Sequence, residues 1–183
     1  MEKVIWKKRQ LLVNDHVWMT FDTNSAAEQV VQVYKGLELA YPKFYKMDIL
    51  SKVGYLCSEL LLKDKVLTHS ELSATATFLS TAEGCREVDI RFLESTGVIP
   101  SPALFVYTLP NIMLGEICIR HKLKGEQICY IAPAIDREDL NFYLEDIFRV
   151  RGLAYCLCGH VNVLEDTIEA EVYWIDKRKF TRL

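Results

Sequence analysis

Six cysteines and four histidines are the residues of this 183-residue chain that could supply nucleophiles, general bases or metal ligands. Cys129 lies in Gln127-Ile128-Cys129-Tyr130-Ile131, an apolar run that reads as the interior of a strand. A thiol there is desolvated and held protonated, and no basic partner for it is identifiable. Cys156, Cys158 and His160 invite a metal reading. Cysteines two apart on a strand share a face, but tetrahedral zinc needs further ligands and no second ligand cluster exists in the sequence. Core packing beside a glycine turn is the expected role, and no metal or other cofactor is expected. His16, His69, His121 and His160 are scattered, with no Ser/His/Asp or Cys/His order. His121 follows Arg120 at an expected helix end, where positive charge suits the helix dipole. Glu116 and Arg120 stand four apart, in the orientation that favours an ion pair. Gly115 is expected to permit close helix packing; no glycine-rich phosphate loop occurs.

The elements that must position these groups follow from periodicity. Residues 4–13 and 17–21 read as a hairpin about Asn14-Asp15. Residues 25–40 form a helix with Ser25 as N-cap and Glu28 completing a capping box. Residues 44–62 form a stronger one, with an apolar stripe through Met47, Leu50, Val53, Leu56, Cys57, Leu60 and Leu61, and with Lys46, Asp48, Lys52 and Glu59 off it. Buried strands are expected at 73–80, 127–132 and 154–161, and a last strand at 169–175. Helices are expected at 82–95 and, capped by Asp136 and Asp139, through Leu140 to Phe148. Pro100 and Pro102 introduce what reads as a short buried strand, and Pro110 opens a helix that Gly125 closes. This alternation implies one α/β domain over 1–183, a partly parallel sheet covered by helices.

Composition narrows the partners. A hydrophobic fraction of 50% and a charged fraction of 26% describe an ordinary globular protein. A net charge of −3 gives no footprint for nucleic acid or an anionic membrane. No signal peptide, membrane insertion or disulfide framework is expected, which favours a reducing cytoplasm.

The run Thr108-Leu109-Pro110-Asn111, continued by Gly115-Glu116-Ile117-Cys118-Ile119-Arg120 and Leu123-Lys124-Gly125, resembles the "N-T-L-P-N…G-x-I-A-I-R…L-K-G-P" segment of the β-ketoacyl synthases. Lys46-Met47-Asp48 is similar to that family's "K-M-S-R-F-T" helix start, and Ala154 to Gly159 to its "D-V-V-L-A-G-G" strand. The resemblance runs from Tyr41 onward and covers the family's first half. It implies half of a thiolase-like fold: a mixed five-stranded sheet with covering helices. It also implies two departures. Ungapped reading puts Ala134 where the family carries its nucleophilic cysteine, and the histidines and lysine of the second half have no counterpart here.

The resemblance therefore implies a subunit that is non-catalytic by itself, similar to the short chain-length-factor subunits of aryl-polyene and flexirubin-type pathways in fatty-acid or polyketide chemistry. Its expected partner is a complete ketosynthase, with an acyl carrier protein as a further one. Tyr107, Pro110, Asn111, Ile112, Met113, Gly115 and Glu116 are the candidates for the acyl tunnel or subunit interface. Two other readings stay open: a stand-alone homodimeric module binding an acyl or pantetheine-linked ligand, and a thiol-dependent acyltransferase or thioesterase using Cys129.

Overall fold

Seven strands form a single mixed sheet: β1 (Glu2–Lys7), β2 (Gln10–Val13), β3 (His16–Thr20), β4 (Thr75–Thr81), β5 (Gln127–Ile131), β6 (Tyr155–Leu164) and β7 (Thr167–Asp176). The structure is a computed structural model that describes residues 1–97 and 99–182. Strand order is β3-β2-β1-β7-β6-β4-β5, two more strands than the five that the resemblance implies. At the N-terminus, where periodicity gives two strands, there are three. Lys8 and Arg9 turn the chain between β1 and β2, with φ of 50° and 60°, as Asn14 and Asp15 do between β2 and β3 with 51° and 68°. Two consecutive positive φ values match the twist of a tight hairpin. Asn-Asp announces such a turn and Lys-Arg does not, so residues 4–13 read as one strand.

β1 pairs antiparallel with β7, and β7 antiparallel with β6. β6 and β5 both run parallel to β4, which is buried along its whole length. It buries Thr75, Thr77, Ser80 and Thr81 beside Ala76, Phe78 and Leu79, and each of those hydroxyls has a hydrogen-bond partner.

The first face of the sheet carries α1 (Ala26–Gly36), α2 (Ile49–Leu62) and α6 (Asn111–His121) over the larger core. Ser25 caps α1 by accepting from the Glu28 N–H, and Asp48 caps α2 by accepting from Leu50 and Ser51. α2 begins after Met47, because 42–46 form a tighter turn of helix. It crosses β1, β7 and β6 and packs against α6. α3 (His69–Ser73), α4 (Arg86–Ser95) and α5 (Pro102–Val106) are peripheral. α5 replaces the expected buried strand: Pro102 occupies its first turn, the Ser101 hydroxyl accepts from the Leu104 N–H, and the segment lies near the surface.

The second face is covered by α7 (Arg137–Glu145) and its π-helical continuation (Asp146–Val150), over Phe78, Cys156, Cys158 and Tyr173. Among the described residues no helix is long and apolar enough to cross a membrane.

Candidate functional site

The segment where the resemblance expects a nucleophile elbow joins β5 to α7. Ala132 N–H bonds the Thr81 carbonyl, and Asp136 caps α7 by accepting from Glu138 and Asp139. Ala134 lies between them, exposed, and lines a cleft of about 220 Å³ with Ile135 and His160. His160 is buried in the middle of β6 with its Nδ1 2.8 Å from the Ser80 hydroxyl, and burial lowers its pKa. Its proximity to Ala134 is long-range and has no signal in the sequence.

β5, expected as a buried strand, lies at the edge of the sheet and is covered only in part. Cys129 is half-buried on the face that carries the larger core, in register with Leu79. Burial raises its thiol pKa, as expected for a strand interior.

Cys156 and Cys158 are fully buried beneath α7, and burial first, then the neighbouring Cys156 thiol, push Cys158 well up. Gly159 belongs to the strand itself and not to a turn. Its φ of 145° and the close approach of the β7 backbone at Glu171 and Val172 leave no room for a side chain.

The seam between α2 and α6 departs most from expectation. Glu116 and Arg120 do not pair with each other. Glu116 is buried; it accepts from the Tyr107 hydroxyl at 3.1 Å and pairs with Lys43 at 2.7 Å. Arg120 reaches across to Glu59, with Nε 2.5 Å from Oε1, and its guanidinium lies 5.3 Å from the ring centre of Tyr41. Glu59, placed off the apolar stripe by periodicity, is fully buried. His121 is not a charged cap. Its Nε2 lies 3.0 Å from the Ser58 hydroxyl, and burial pulls its pKa down to about 4 against the opposing pull of Glu59.

The helix ends at Lys122, left-handed with φ 58°, and Gly125 serves instead in a tight approach to the Thr75 carbonyl. Gly115 has nothing within 4 Å of where a Cβ would stand, so it does not mediate close packing. Gly54 does: a Cβ there would come within 2.5 Å of the Met113 sulfur. Met113 is thus fully enclosed in the seam, whereas Tyr107, Pro110 and Ile112 are half-buried and Asn111 is exposed. Near them, Leu109 (48% exposed) and Ile131 (62%) leave large apolar side chains open, as does Phe142 (67%) on α7. Ile131 and Pro110 converge on Gly84, which places the end of β5 beside the start of α6.

No family model and no curated protein matches the chain. Solved structures do. The ishigamide ketosynthase/chain length factor aligns with a TM-score of 0.69 at 16% identity, over 99% of this chain and 62% of that one. A ketosynthase (ApeO) in complex with its chain length factor (ApeC) from Xenorhabdus doucetiae aligns at 0.61 with 12% identity, over 96% and 76%. A type II polyketide synthase acyl-carrier protein in complex with its ketosynthase bound to the hexaketide (AntDE:AntF) aligns at 0.62 with 12% identity, over 97% and 61%. The fold is therefore that of the ketosynthase and chain-length-factor proteins, and this chain spans about three fifths of two of those structures.

Proposed function

We propose that this chain is a non-catalytic ketosynthase-like subunit that pairs with a complete β-ketoacyl synthase, in the manner of a chain length factor. The observation that carries this reading is the shared fold, and the Ala134 that ungapped reading puts at the nucleophile position, between β5 and α7, supports it. A methyl group offers no nucleophile for acyl transfer. The open edge of β5 supports association: its free backbone groups can take another strand, and Leu109, Ile131 and Phe142 provide apolar area around it. Tyr107 and Ile112 are the side chains that would reach the partner's acyl tunnel; Met113, enclosed by α2, would act only through their support. An acyl carrier protein would meet the assembled pair.

The test is co-expression with ketosynthases encoded beside it, followed by size-exclusion chromatography with light scattering. A stoichiometric heterodimer is expected, and malonyl-carrier decarboxylation should depend on the partner's cysteine. Turnover by this chain alone, or a stable monomer in the presence of every neighbouring ketosynthase, would refute the reading.

A further inference from the structure

A cleft of about 270 Å³ opens between the start of α2 and helices α4 and α5. Met47, Val88 and Leu104 line its apolar side, and Lys46, Lys52 and Arg91 its polar side. We propose that this cleft binds a small organic anion, a carboxylate with a short apolar body, with Lys52 as its main partner.

Lys52 is the residue that asks for a ligand. Its stem is half-buried and its Nζ lies 5.7 Å from the centre of the Phe44 ring. Among the described residues no carboxylate stands within ion-pair distance of it. Asp48 is one helical turn away, but its two oxygens already accept the Leu50 and Ser51 amides at 3.0 and 3.3 Å. Among the described residues Arg91 pairs only with Glu87, at 3.8 Å and with both side chains exposed, a contact weak enough to be exchanged. Lys46 is exposed and in no ion pair with a described residue.

Three cations thus face the cleft against Asp48, which is engaged, and Glu87, which pairs with Arg91. Burial depresses the Lys52 pKa, so the ammonium is held partly out of water, and a carboxylate there would replace lost hydration with a charge-assisted hydrogen bond. The volume falls just below the ~300–1,000 Å³ of clefts for larger ligands, which suits a short chain. The site lies within one chain and does not depend on the pairing proposed above.

Isothermal titration of the isolated chain with sodium octanoate, and with octan-1-ol as the uncharged match, tests it. Saturable one-to-one binding of octanoate is expected, with octanol at least about tenfold weaker, the factor a lost charged hydrogen bond implies. Lys52→Met should weaken octanoate about tenfold, Lys52→Arg should retain most of the affinity, and Arg91→Gln should cost a few-fold. Lys63→Gln, at the exposed far end of α2, should change nothing. Equal affinity for octanoate and octanol, unaltered binding in Lys52→Met, or no saturable binding would overturn the proposal. If Lys52→Met does not fold, the octanol comparison decides alone.

Discussion

Arg120 Nε on α6 stands 2.5 Å from Glu59 Oε1 on α2, so two of the three helices that cover the larger core are joined by an ion pair along their seam. Glu59 has no exposure of its own, and the stacked Tyr41 ring shields the guanidinium from one side. Such a pair adds little net stability over apolar packing, but half of it is costly. Arg120→Ala should destabilise the chain by about 2–4 kcal/mol, below the upper range for buried pairs because Arg120 is itself about a third exposed. Arg120→Lys should recover only part, since an ammonium cannot reproduce the fork. Urea unfolding of both variants measures this, and wild-type stability in Arg120→Ala would dismiss the pair.

Stability should fall as pH drops through the window set by His121. Its pKa is about 4 in the fold against an ordinary 6.5, so the unfolded chain takes up the proton first. The contribution is complete above pH 6.5 and lost progressively down to about pH 4. It amounts to roughly 3 kcal/mol at most. Burial of His160 acts in the same direction. His121→Gln should flatten the slope between pH 6.5 and 4 in thermal unfolding curves; an unchanged slope would count against the assignment.

Gly54 and Met113 should be energetically coupled. Gly54→Ala places its methyl group into the Met113 side chain and should cost about 1–3 kcal/mol. Met113→Ala should cost about 2–5 kcal/mol through the cavity it leaves. The double variant should cost clearly less than the sum, because each change relieves the other. Additive losses in a double-mutant cycle would show that the seam yields elsewhere.

Association should be separable from folding. Ile131→Asp and Phe142→Asp alter side chains that are mostly exposed, so each should move the melting temperature of the isolated chain by little. Under the proposed function, either change should weaken the heterodimer by an order of magnitude or more, as loss of a buried apolar anchor does. Full retention of the complex by both variants would move the interface away from β5 and α7.

Much of the frame is legible in the residues because it follows from local rules. The caps Ser25 and Asp136, the helices expected at 25–40 and 44–62 and found at 26–36 and 49–62, and the buried strand expected at 73–80 and found as β4 declare themselves through spacing and side-chain chemistry, whereas the Asp48 cap does not. So does the ketosynthase-like pattern around Pro110 and Arg120, which the fold comparison supports. The hairpin at Lys8-Arg9 does not, since neither residue favours positive φ and only the sheet on either side holds them there. The same distinction runs through the α2–α6 seam. Periodicity assigns Glu59 to the solvent face and pairs Glu116 with Arg120, because along one helix those are the nearest relations. Packing α6 against α2 and the helical turn before it offers each charge a partner some sixty or seventy positions away in the chain. Whether a strand is central or at the edge is likewise a property of the assembled sheet: the sequence marks 127–131 as a strand, and only the order of its neighbours leaves one side of it open.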